Sequence, residues 1–197
     1  MRSELATPHG RCVILDATEQ ELPLVGIEQA IGERLGPLRR RELAIGRAAL
    51  REALGQHIEI PADDRGAPIL PAGWVGSISH KGTRAAALVA PAGSGFIGVD
   101  LEKASPPRVA IARRILTERE RASDREVTLF FAIKEAIYKA VDPIVRRYVG
   151  FREVELEIGA GTCQVRVVDV ERLPVVIEAW WEERDGMWLA TARANPR

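Results

Sequence analysis

The chain lacks most of the residues that reveal a function at a glance. Its 197 residues hold two cysteines, three histidines and two methionines, and aromatic residues make up only 5%. Two cysteines, Cys12 and Cys163, without ligand spacing exclude a disulfide framework and a zinc cluster. They read as reduced, partly buried thiols. No charge of one sign dominates: 28 Lys and Arg stand against 28 Asp and Glu. That balance argues against a general nucleic-acid binder, whose surface is strongly basic. No apolar run reaches the roughly 20 residues that span a bilayer. The first residues, MRSELATPHG, lack the apolar core of a secretory signal. These absences lead us to expect a cytoplasmic protein with neither a membrane nor a nucleic-acid partner. The G-x-S-x-G elbow is also missing, which removes the serine-hydrolase reading of His80. What is abundant is apolar: 46% of residues, enough core for one domain or two small fused ones.

Periodicity organises the rest. Residues 12–16 (CVILD) read as a strand, 27–35 as a helix, and 38–54 as a second helix with Leu43, Leu50 and Leu54 at helical spacing. Pro37 and Gly55 punctuate that helix, and Arg39, Arg40, Arg41, Arg47 and Arg51 decorate it. Turn formers fill 61–73. Three short strands follow at 74–79, 84–90 and 95–101. A helix is expected from Pro107 to Leu116. A longer one is expected behind a Ser123/Glu126 capping box, running to about Val141 and ended by Pro143. The tail reads as an antiparallel meander over 153–158, 163–170, 175–182 and 187–193, with an Asp185-Gly186 hairpin turn. Trp180, Trp181 and Trp188 read as sheet core. The class is α+β, with two similar halves, 1–95 and 96–197.

The sharpest chemistry is acidic. Asp100 and Glu102 lie two apart on a strand, so they share a face and repel each other unless a cation or proton intervenes. Glu135 lies in the helix FFAIKEAIYKA, with Lys139 four residues on and Lys134 beside it. Brought together, three carboxylates make an oxygen site suited to Mg²⁺, with room for water and substrate phosphate. Read alone, each motif better fits a solvated strand end or an ordinary surface helix; their order and flanking residues change that. Upstream, GSISHKGTRAAALVA carries Ser77, Ser79 and His80 into a turn with Lys81 and Gly82, which suits a phosphate cradle as well as plain turn hydrogen bonding.

In this order and spacing, GSISHKGTRAAALVA, FIGVDLE and FFAIKEAIYKA resemble the three signature segments of the Sfp/EntD-type 4'-phosphopantetheinyl transferases, over roughly residues 35–140. The resemblance implies two pseudo-symmetric α+β halves with coenzyme A in the cleft between them. Carried over residue by residue, it implies Mg²⁺ on Asp100, Glu102 and Glu135. Lys134 and Lys139 would lie beside the pyrophosphate, with Lys139 stabilising the leaving group. Ser79 and His80 would contact the coenzyme phosphates, and Arg47, or less well Arg40, the 3'-phosphate. DRGAPILP resembles the family's stretch near the adenine. Ala67 stands where some members carry lysine, which leaves a backbone contact there and a compensating role for Arg65 or Lys81.

The implied reaction moves phosphopantetheine from coenzyme A to a serine of an apo acyl or peptidyl carrier protein, with adenosine 3',5'-bisphosphate leaving. Catalytic roles fall to Lys139 and to Glu135, or a water that Glu135 orients, as base. An acidic carrier would suit a basic patch at Arg113, Arg114, Arg119, Arg121 and Arg125, although interleaved Glu118, Glu120 and Glu126 also fit a solvated face. Two fused halves suit a monomer. The competing readings are a non-catalytic coenzyme A-binding module and a metal-dependent phosphohydrolase.

Overall fold

The computed structural model describes residues 1–17, 22–120, 123–159 and 162–197. The chain divides into two compact units, Met1–Ser94 and Gly95–Arg197. Each is an antiparallel sheet with one long helix laid across it.

In unit 1 the strands β1 (Arg2–Thr7), β2 (Gly10–Asp16), β3 (Trp74–Lys81) and β4 (Arg84–Pro91) form a sheet in the order β1-β2-β4-β3. Helix α1 (Ile27–Glu33) precedes α2 (Pro37–Leu54). Ile45, Ala49, Leu50 and Ala53 of α2 pack on Val13, Ala85, Ala87 and Val89 of the sheet. The alternation of β4 decides which face that is. Ala85 and Ala87 pair with His80 and Ile78 of β3, so those two residues point toward α2, and Ser77 and Ser79 point the other way. The edge strand β1 alternates half-buried and exposed residues and escaped the sequence reading, because four of its six positions are polar. β3 runs on through His80 and Lys81, and the turn is confined to Gly82 and Thr83.

In unit 2 the strands β5 (Phe96–Lys103), β6 (Val154–Ile158), β7 (Thr162–Val167), β8 (Val175–Arg184) and β9 (Met187–Pro196) take the order β5-β9-β8-β7-β6. The expected meander is present. Its β8–β9 hairpin turns at Asp185 and Gly186, both with positive φ, as a two-residue hairpin loop requires. Helix α4 (Asp124–Val145) crosses β5 and β9. At its start the Glu126 carboxylate accepts from the Ser123 N–H and hydroxyl, each at 2.7 Å.

Two expected boundaries are corrected. Pro143 does not end α4: Ile144 and Val145 pack on the core and carry the helix to a left-handed Arg146. The helix expected over 107–116 shrinks to a 3-10 turn, Val109–Ile111, and one helical turn, α3 (Ala112–Ile115). Arg108, tethered through its N–H to Thr128 Oγ1 at 2.7 Å, has a non-helical backbone and Leu116 is extended, so only the residues between them are helical. Trp188 is buried and meets Trp181 edge to face at 5.6 Å, while Trp180 and Trp181 are half-buried. Neither cysteine forms a disulfide, and burial pushes the Cys163 thiol up to about 12. Among the described residues no helix is long and apolar enough to cross a membrane.

Candidate active site

The acid site of unit 2 begins with a glycine. Gly98, Asp100 and Glu102 alternate onto the face of β5 that looks at α4. A Cβ on Gly98 would lie 1.9 Å from the Ala136 carbonyl oxygen, so only glycine lets the helix backbone come this close. That approach sets Glu135 and Lys139 of α4 over the two strand acids. Lys139 Nζ donates to Asp100 Oδ1 and to the Val99 carbonyl, each at 2.8 Å. Arg108, which the sequence reading passed over, approaches Glu102 Oε1 at 3.4 Å and stacks 4.3 Å above the Phe131 ring.

Glu135 senses this whole set. Burial first, then the Asp100 and Glu102 carboxylates, push its carboxyl above the ordinary 4.5, while Lys139 and Arg108 pull it down. Three carboxylates therefore face two cations, which leaves negative charge in excess. Among the described residues, no three His, Cys, Asp or Glu side chains are gathered closely enough to hold a metal ion. Lys139 and Arg108 stand on the strand acids instead. The donor set is nonetheless the right kind for Mg²⁺: carboxylate oxygens only, from two rigid elements, with charge to neutralise.

Lys134 corrects an expectation. It is expected beside the pyrophosphate, and the structure engages it elsewhere. Its ammonium is fully buried and donates, at 2.8 Å each, to Glu120 Oε2, the Ile115 carbonyl and the Phe151 carbonyl. All three protons are used. Glu120 also takes the N–H groups of Thr117 and Leu156. Desolvation lowers the Lys134 pKa, against the pull of Glu120.

Unit 1 holds a second charge cluster. Arg51 Nη1 donates to Glu28 Oε1 at 2.7 Å, a buried pair, and Glu28 also receives the N–H groups of Val25 and Ile60. Neither Glu28 nor its pairing with Arg51 was read from sequence, since 23 residues separate them. Arg47, one turn before Arg51, is at least as buried but makes only a long 3.4 Å bond to the Pro61 carbonyl, and its Nε has no hydrogen-bond partner. Desolvation lowers its pKa. A buried arginine so poorly matched suits an anion from outside. Arg40 is exposed, its stem lying over Gly32. His80 Nδ1 lies 3.5 Å from Glu42 Oε1 on α2, whereas Ser79 lies nearly buried on the opposite face of the sheet. Ala67 has both backbone groups engaged with Asp63, so the backbone contact expected of it toward an adenine is already spent.

Of the basic patch, Arg113 and Arg114 lie on α3, with Arg114 5.9 Å above Phe151. Arg125 pairs with Glu183 and stacks on Trp188, Arg119 sits in the segment before α4, and Arg121 lies outside the described residues.

Comparison with known proteins supplies the class. Residues 27–90 match the 4'-phosphopantetheinyl transferase N-terminal domain, and residues 96–180 match the 4'-phosphopantetheinyl transferase superfamily. The 4'-phosphopantetheinyl transferase Svp of Streptomyces mobaraensis is 32% identical over 194 residues, which is 89% of this chain and 78% of that protein. The 4'-phosphopantetheinyl transferase Npt of Nocardia iowensis is 37% identical over 130 residues, 60% of this chain and 59% of that protein. A solved holo-[acyl-carrier-protein] synthase of Helicobacter pylori, in complex with coenzyme A, covers 51% of this chain and 100% of its own, at 16% identity and a TM-score of 0.43. The chain belongs to the 4'-phosphopantetheinyl transferase superfamily and is an enzyme of that class.

Proposed function

We propose that the chain transfers the 4'-phosphopantetheine group of coenzyme A to a serine hydroxyl of an apo acyl or peptidyl carrier protein, with Mg²⁺, releasing adenosine 3',5'-bisphosphate. The observation that carries this reading is the excess of carboxylate where Asp100 and Glu102 of β5 face Glu135 of α4, with Lys139 on Asp100. Mg²⁺ held by those three carboxylates would neutralise charge on the diphosphate oxygens.

The serine oxygen bonds to the β-phosphorus as the bond from that phosphorus to the bridging oxygen breaks. Adenosine bisphosphate leaves with the electron pair. The hydroxyl proton goes to Glu135, which faces the strand acids from α4. The Lys139 ammonium offsets the charge gathering on the leaving phosphate. We assign the 3'-phosphate to Arg47, and His80 to the same side of the unit 1 sheet. Arg113 and Arg114 offer the acidic carrier a basic surface on α3. The reaction belongs in the cytoplasm, with coenzyme A and apo carriers, and is assigned to a single chain.

A module that only bound coenzyme A would gain nothing from three carboxylates set toward a polyanion. The test is intact-mass analysis of a panel of apo carriers after incubation with the chain, coenzyme A and Mg²⁺. The expected result is one added phosphopantetheine on at least one carrier. Unmodified carriers throughout, with coenzyme A bound, would leave the binding module. Nucleotide released without any carrier would leave the phosphohydrolase.

A further inference from the structure

We infer that Arg108 and Lys139 are resident counter-cations of the acid site, which keep divalent metal off the bare protein and hand over the carboxylates when a diphosphate arrives. The inference rests on the transferase reading above. Its first support is the contrast in burial within each pair. The side chains of Asp100 and Glu102 are 7% and 8% exposed, but those of Lys139 and Arg108 are 31% and 39% exposed. The acids are fixed in the interior and the cations stand at the rim, so the cations swing outward without uncovering the acids.

The anchoring of Arg108 is the second support. Its backbone N–H is held by Thr128 Oγ1 at 2.7 Å, and Thr128 is fully buried on α4. The backbone is therefore fixed while the guanidinium meets Glu102 only at 3.4 Å and rests on the face of Phe131. A long, partly exposed pair is weak and exchangeable. A guanidinium stacked on a ring keeps its planar edge for a phosphate. The Lys134–Glu120 pair on the same helix is the opposite arrangement, fully enclosed with every proton used.

The third support is that each strand acid already has its own cation, Lys139 on Asp100 at 2.8 Å and Arg108 on Glu102 at 3.4 Å. Metal arriving alone has to displace two cations that gain nothing by leaving. Metal arriving with a diphosphate offers both cations a new anion, so the two ligands strengthen each other's binding by the same factor.

The experiment is Mn²⁺ binding to the whole chain, followed by electron paramagnetic resonance, with and without coenzyme A, for wild type, Arg108→Gln and Arg108→Lys. Thermal melts confirm that each variant is folded. The expected result is weak Mn²⁺ binding to the bare wild type, strengthened at least about tenfold by coenzyme A. Arg108→Gln binds bare Mn²⁺ about fivefold more tightly than wild type and gains less from the coenzyme, while Arg108→Lys, which keeps the charge but not the planar edge, stays near wild type without coenzyme and gains less from it. If Arg108→Gln matches wild type without coenzyme while coenzyme still recruits Mn²⁺, the counter-cation role is wrong and the metal site stands. If coenzyme recruits no Mn²⁺ to any variant, the metal reading falls, and this inference falls with it.

Discussion

Helix α4 carries two charged regions that teach opposite lessons. At Lys134 the charges balance: one ammonium meets one carboxylate, and the remaining donors and acceptors reach backbone groups of three other segments. At Glu135 they do not: three carboxylates share Lys139 and Arg108. A balanced buried cluster holds the fold, and an unbalanced one waits for a ligand. Unit 1 repeats the contrast, with Arg51 closed on Glu28 and Arg47, one turn away, poorly matched.

The comparison breaks most visibly at Lys134. Lys134→Ala leaves Glu120 as a buried charge without its partner, which costs about 3–5 kcal/mol. Denaturant unfolding is expected to show this as a large loss of stability. Pairing Lys134→Met with Glu120→Gln recovers part of that loss, and transfer by the folded double variant stays near wild type. A folded double variant without transfer would return Lys134 to the catalytic side.

Gly98→Ala comes next. The added methyl meets the Ala136 carbonyl, and overpacking of this kind costs about 1–3 kcal/mol. Because the strain lifts Glu135 and Lys139 from the strand acids, kcat falls more than KM rises. A smaller effect is expected from Arg47→Met. It removes a desolvated cation, so the melting temperature holds or rises, but the KM for coenzyme A rises about tenfold or more as a charged hydrogen bond is lost. A lower melting temperature with unchanged KM would make Arg47 structural.

Much of this was legible in the sequence. The period-two rule placed Asp100 and Glu102 on one face, and the signals for α2, the β8–β9 turn and the capping box match the elements found. Gly98 was legible but unread, since a lone glycine inside a strand marks close backbone approach. The two lysines of the KEAIYK segment look equivalent as letters. Five residues, however, turn a helix through about 140°, which puts them on different faces. Arg108 left no signal. Its contact with Glu102 depends on a chain reversal through two prolines and on Thr128 holding its backbone.

The central claim is that the excess charge at Glu135 costs stability and supplies function. In the folded chain Glu135 takes up a proton more readily than at its ordinary 4.5. The folded state therefore binds more protons there than the unfolded one, and stability falls as pH rises from below 4.5 through the raised value. The most direct measurement is Glu135→Gln, assayed for carrier modification and for thermal unfolding on the same preparation. The account predicts no detectable transfer and a melting temperature a few degrees above wild type at pH 7, the advantage fading toward pH 4. Full transfer, or a variant less stable than wild type at neutral pH, would contradict it.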